Sequence, residues 1–272
     1  MRYIKITQII LSMFFLWHLS ACQSPSTYSP ELTSEEIRAE EIEQQKMVDE
    51  IRARGGLPKS WKNPKNMRRQ FERVGTKIEK AGAKICKELN LQQNGCYYYF
   101  RMSRGEEINS HADGKNIVIY SGMMRFVEND DELAVVMAHE FVHNLMGHVS
   151  AQQNNATIGL VLGTVLDAVA SYQGVPTFGE ISRAGGDIGE LSYGADFERE
   201  ADYIGMYVMA AAGYDINKAP YFWRRMSVEN PDGIYNSTTH PSNAERFVAM
   251  RKIIDEINHK RRKHLPLIPD FR

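Results

Sequence analysis

Residues 131–148, DELAVVMAHEFVHNLMGH, are the stretch that decides how the rest of the chain is arranged. They predict one helix. Asn129, Asp130 and Asp131 can cap its start, and the acidic first turn meets the positive end of the helix dipole. Leu133, Val135, Val136, Met137, Phe141, Val142 and Leu145 put apolar side chains on nearly every side, which predicts a buried helix rather than an amphipathic one. Yet His139, Glu140 and His143 sit in its middle. Burying three ionisable groups without partners is costly.

A metal ion removes that conflict. Histidines four residues apart share a helix face, about 6 Å apart along the axis. Their imidazoles can then close on one Zn²⁺ at ~2.0–2.1 Å each. Glu140, rotated by about 100° from His139, is better placed as the general base of an H-E-x-x-H hydrolase than as a ligand. The alternative is two core histidines beside a stray glutamate. A metzincin would need a glycine at 146 and a third histidine at 149. Met146 and Val149 stand there, so that pattern fails. His148 then reads as a helix C-terminal histidine, favoured by the dipole, or as minor support for the ligands.

A second acidic helix is expected near residues 196–211. Asp196 can cap it, and Phe197, Ala201, Ile204, Val208 and Ala211 form its buried stripe. Glu198 and Asp202 flank the stripe on one side and Glu200 on the other. Periodicity leaves both glutamates open as a third ligand. Ala201 is small enough to let this helix approach another closely.

Three motifs in order, His139-Glu140-Phe141-Val142-His143, Glu198-Arg199-Glu200-Ala201-Asp202 and Thr239-His240-Pro241 with Arg246 beyond it, resemble the gluzincin metallopeptidases. That family contains HtpX, the CAAX prenyl proteases, the mitochondrial Oma-type proteases and several bacterial envelope proteases. The resemblance covers roughly residues 63–254. It implies an α+β, predominantly helical fold: a single zincin-type metallopeptidase domain with a small β-sheet beside the H-E-x-x-H helix.

The resemblance also implies roles. His139, His143 and Glu198 become ligands of one Zn²⁺ per chain, the E-x-x-x-D pattern selecting Glu198 over Glu200. Glu140 becomes the base, and Asp202, with Arg246, supports a ligand imidazole. His240 becomes a catalytic group facing the oxyanion, or else a fourth ligand that keeps the enzyme latent. Replacing it by Ala lowers activity in the first case and raises it in the second. The implied activity is zinc endopeptidase action on misfolded or stalled envelope proteins. A peptidoglycan amidase, or a zinc-stabilised chaperone that holds clients without cutting them, are the alternatives.

Outside the motifs, the 272 residues are 43% hydrophobic and 25% charged, which fits one globular domain with appendages. A formal net charge of −1 points to no nucleic-acid partner, and the basic run 260–264 reads as a solvated helix end. Residues 1–21 look like a lipoprotein signal. Arg2 and Lys5 precede a short apolar core at 9–17, and Leu19-Ser20-Ala21-Cys22 follows. Cleavage before Cys22 and its acylation, palmitate included, anchor the mature chain to a membrane. Gln23 after that cysteine points to the outer membrane, facing the periplasm. A plain secretory signal is the competing reading. Residues 22–60 are then a lipidated tether and charged helix, and 61–272 the peptidase domain.

Export makes a Cys86–Cys96 disulfide the favoured reading over two buried thiols. A helix is expected over 63–91, with Met67, Phe71, Val74, Ile78, Ala81 and Ile85 facing the core. Strands are expected at 96–102, 106–111 and 116–120, the last as the cleft edge that pairs with an extended peptide. His111 falls in a turn and reads as a surface histidine. Residues 157–172 predict a buried or cleft-covering helix, and the glycine-rich 174–194 a mobile loop able to act as a lid. No tetratricopeptide array is expected, because only about thirty residues follow His240.

Overall fold

The computed structural model describes residues 30–57, 62–91, 95–191, 194–235 and 241–271. The signal segment, Cys22 and His240 lie outside them. Contacts divide the described residues into two units, those of 30–149 with those of 195–271, and those of 150–194.

In the first unit, helix α1 (Ser34–Ala53) starts at a capping box in which Thr33 and Glu36 satisfy each other's backbone N–H groups. The sequence makes it a charged spacer or a loosely packed helix. Instead it packs firmly, and it does so through polar pairs. Arg224 clamps the buried Glu40 with two bonds of 2.6 Å, and Ser227 Oγ donates to Gln44 Oε1 at 2.7 Å. Val48 joins Val228 and Ile234 in a small apolar cluster.

Helix α2 (Pro64–Glu88) begins with Asn63 as its cap and Pro64 in the first turn, where a missing N–H costs nothing. All six residues of its expected stripe are buried. Gly82 lets the Phe141 ring lie on the helix backbone: a Cβ there would sit 2.3 Å from that ring. The end of α2 is tied by a Cys86–Cys96 disulfide to the segment entering the sheet, a crosslink worth roughly 2–4 kcal/mol.

The sheet has three strands, β1 (Tyr99–Ser103), β2 (Ser110–Ala112) and β3 (Asn116–Tyr120), in the order β1-β3-β2. β3 pairs in parallel with β1 and antiparallel with β2, with Ser110 opposite Ile119. This corrects the sequence expectation for residues 116–120. Both edges of β3 are hydrogen-bonded, so it is central, and β2 is an edge. Ile117 and Ile119 alternate inward, as a half-buried strand requires. His111 lies on β2 rather than in a turn, and it is exposed.

After the short α3 (Ser121–Phe126), helix α4 (Asp130–Met146) is buried from Glu132 to Leu145. Asn129 accepts from Glu132 N at its start, and Gly147 ends it in the left-handed conformation at φ 72°. Beyond the second unit come α7 (Gly194–Ala211), α8 (Ala219–Glu229) and α9 (Asn243–Arg262). Helix α7 is buried at every position from 201 to 210, which an amphipathic stripe does not anticipate. It starts at Gly194, so Asp196 sits inside its first turn, bonded to Arg199, and not at the cap. Ala211 is exposed. Helix α7 comes close to α4 at Gly205, where a Cβ would lie 3.4 Å from the His139 backbone nitrogen.

Helix α5 (His148–Tyr172) begins in the first unit with His148 and Val149, and its remainder, followed by α6 (Glu180–Leu191), makes up the second. The glycine-rich stretch is therefore helical over Glu180–Leu191, with a turn only at 174–179. Gly174 and Gly179 make the turn at φ 82° and 78°. Gly163 and Gly185 face backbone: Cβ atoms there would meet Ile181 O at 2.4 Å and Gly159 O at 2.3 Å. Those glycines serve helix contact, so they do not break the helix. Asp167 accepts from the Ser182 backbone N–H at 2.9 Å and from its hydroxyl. Nor is α5 buried within the described residues. It is long and apolar enough to cross a membrane, and only 11% of its most apolar 18-residue stretch is buried. Leu160, Val161, Leu162, Val165, Leu166 and Val169 are exposed.

Candidate metal centre

Helix α4 carries His139 and His143 one turn apart, and α7 crosses it at Gly205 so that Glu198 faces both. His139 Nε2 and His143 Nε2 are 3.0 Å apart. Glu198 lies 3.1 Å from the first through Oε2 and 3.2 Å from the second through Oε1. All three residues are buried, and among the described residues they are the one group with the composition of a metal site. Ligands on a tetrahedron with ~2.0–2.1 Å bonds are separated by about 3.3–3.4 Å. A triangle of 3.0–3.2 Å therefore fits zinc with a slight opening, and two imidazoles with one carboxylate are donors zinc accepts.

The charges around the group fit a cation as well. Burial works against a charged His139, but the Glu198 carboxylate and the bond to Asp202 outweigh it, and its pKa is pushed up to about 10. Burial would raise the Glu198 carboxyl. The two imidazoles beside it hold it well below the usual carboxylate range instead. Without a metal, the centre therefore keeps a proton where a divalent ion would stand. His139 Nδ1 donates to Asp202 Oδ1 at 2.9 Å, which leaves the Nε2 lone pair facing the donor group. Asp202 is itself gripped by Arg246 at 2.7 and 2.6 Å, and that guanidinium charge outweighs burial to keep the Asp202 carboxyl low. Arg246 is buried over the face of Trp223, 3.3 Å from the ring centre.

Glu140 projects to one side, into a cleft lined by His139, Asn109, Ser110, Trp223 and Pro241. Ser110 Oγ donates to Glu140 Oε1 at 2.8 Å, which fixes the orientation of the carboxylate. Glu200 stands away from the donor group and bonds to His148 at 2.8 Å. Ser110, Trp223 and Gly205 escape sequence reasoning. Ser110 is a polar residue in a short strand with no distinctive pattern, and the roles of the other two depend on helices that meet only in space.

Two helices, a donor triangle and an adjacent glutamate in a cleft beside an edge strand reproduce the arrangement expected of an H-E-x-x-H metal site. The profile of peptidase family M48 matches residues 72–254, and the chain belongs to that family. Its members depend on zinc, in keeping with the buried triad.

The chain is 32% identical over 139 residues to a putative beta-barrel assembly-enhancing protease of Vibrio cholerae, a match covering 48% of this chain and 29% of that one. A beta-barrel assembly-enhancing protease of Escherichia coli is 35% identical over 136 residues, covering 47% and 28%. The mitochondrial metalloendopeptidase OMA1 of Saccharomyces cerevisiae is 31% identical over 152 residues, covering 53% and 43%. The chain thus spans less than half the length of these relatives.

Proposed function

We propose that this protein is a zinc-dependent endopeptidase of the bacterial envelope that cuts misfolded or stalled proteins. The observation that carries the reading is the convergence of His139, His143 and Glu198 to within 3.2 Å, with Glu140 beside them in an open cleft. The three residues would hold zinc, which supplies Lewis acidity at neutral pH. Glu140 takes a proton from the attacking water and returns it to the leaving amine nitrogen. Ser110 keeps the Glu140 carboxylate turned toward the cleft, while Asp202 and Arg246 hold His139 in the binding tautomer. The edge strand β2 supports backbone pairing with an extended peptide, a mode suited to unfolded segments.

Replacing Glu140 by Gln tests this reading directly. Hydrolysis of an unfolded protein substrate should fall at least ~10²-fold, the scale of lost acid–base catalysis, while zinc remains at one ion per chain. Full activity in that variant overturns the assignment. The envelope setting rests on the Leu-Ser-Ala-Cys pattern ending at Cys22 and on the likeness to bacterial beta-barrel assembly-enhancing proteases. A Cys22→Ser chain should move from the membrane to the soluble fraction, and unchanged fractionation would count against lipid anchoring.

A further inference from the structure

A second hydrogen-bonded chain runs back from the donor group, behind His143. His143 Nδ1 is 3.1 Å from His148 Nδ1, and His148 Nε2 is 2.8 Å from Glu200 Oε2. Helix α4 ends at Gly147 in the left-handed conformation, and the turn brings His148, the first residue of α5, back toward His143. His148 stacks on Phe197, with ring centres 4.5 Å apart at 17°, which fixes the plane of its imidazole. Only 1% of His148 and 2% of Glu200 are exposed, so bulk water does not compete for these bonds.

Ring nitrogens exchange roles, but a metal at His143 allows one assignment. Ionised Glu200 only accepts, so His148 Nε2 carries its hydrogen and His148 Nδ1 presents a lone pair. His143 Nδ1 then donates to that lone pair, and His143 Nε2 is left bare toward Glu198. The opposite polarity, with a protonated Glu200, would put a hydrogen on His143 Nε2 and block a metal.

We infer that His148 and Glu200 form a positioning relay that holds His143 as its Nδ1–H tautomer, the counterpart of Arg246 and Asp202 behind His139. Helix α7 therefore supplies three carboxylates with separate roles. Glu198 goes to the donor group, Asp202 supports one imidazole, and Glu200 supports the other through His148. The relay rests on the metal-centre reading of the proposed function.

The test uses the full chain in detergent, with zinc affinity measured by chelator competition. His148→Phe keeps the stacked ring but removes the acceptor. It should weaken zinc binding ~10–100-fold, the usual cost of losing such a partner, and should change the visible absorption of the cobalt-substituted protein. His148→Asn, whose Oδ1 can replace Nδ1 as acceptor, should recover most of the affinity. Equal affinity in wild type and His148→Phe, or equal losses in both variants, would overturn the relay and leave the metal centre standing. Absence of stoichiometric zinc from wild type would overturn the metal centre itself. Nitrogen-15 NMR of the zinc-loaded wild type decides between the two polarities even if a variant fails to fold. The His148 hydrogen belongs on Nε2, and a hydrogen on Nδ1 contradicts the relay.

Discussion

The metal centre and the α5–α6 hairpin invert the ordinary burial rule in opposite senses. Around the centre, His139, Glu140, His143, Glu198, Glu200, Asp202 and Arg246 are all buried, among them four carboxylates on two adjoining helices. In the hairpin, a row of Leu and Val is exposed, and the buried charge of Asp167 is bonded to Ser182. A buried charge survives only with partners, so each one in the centre has a hydrogen-bonding or ionic neighbour, and the group as a whole calls for a cation. An exposed apolar side chain has no comparable requirement, and the hairpin can carry many without distorting its helices.

That contrast can be broken by experiment. The largest effect should come from Arg246→Met, which leaves the buried Asp202 carboxylate without its guanidinium. A loss of about 3–5 kcal/mol is expected in denaturant unfolding of the metal-free protein. A loss below about 1 kcal/mol would mean that Asp202 is not held by charge pairing.

Next in size is a dependence on pH. The His139 pKa is raised to about 10 in the metal-free centre. Zinc must therefore displace a proton, and affinity should rise about tenfold per pH unit between pH 7 and 9. Calorimetry in two buffers of different ionisation enthalpy should count about one proton released. The same shift fixes a sign for the metal-free fold. A pKa above the unfolded value of about 6.5 gives stability that is complete below that pH and lost as pH rises through about 10. The melting temperature of the metal-free protein should thus fall from pH 7 to pH 10, and a rise would contradict the raised pKa.

The smallest effect belongs to the hairpin. Leu166→Ser exchanges one exposed apolar side chain for a polar one and should change stability by no more than ~0.5 kcal/mol by chemical denaturation. A loss of several kcal/mol would show that Leu166 is not free in solution.

How much of this is legible in the sequence follows from the range of the forces involved. Helix α4 and its ligand pair are readable because capping, apolar content and the i, i+4 spacing are all local. The α2 stripe is readable for the same reason. The choice of Glu198 over Glu200 is not local, and it needs the family pattern. The structure separates them by what each faces, Glu198 the two imidazoles and Glu200 the ring of His148. Strand β3 is visible in the sequence but its place in the sheet is not, because a strand's neighbours are not encoded in its own residues. The glycines of 174–194 mislead because the same residue serves turns and close helix contacts. Only the facing backbone of α5 shows which use applies.

Gly205 carries a consequence for the centre as a whole. A methyl there would meet the His139 backbone nitrogen at 3.4 Å, an ordinary van der Waals contact, so alanine fits and only a longer side chain would act as a wedge between the two ligand-bearing helices. The room left for the ion's seat is set to within one methyl group by that backbone contact.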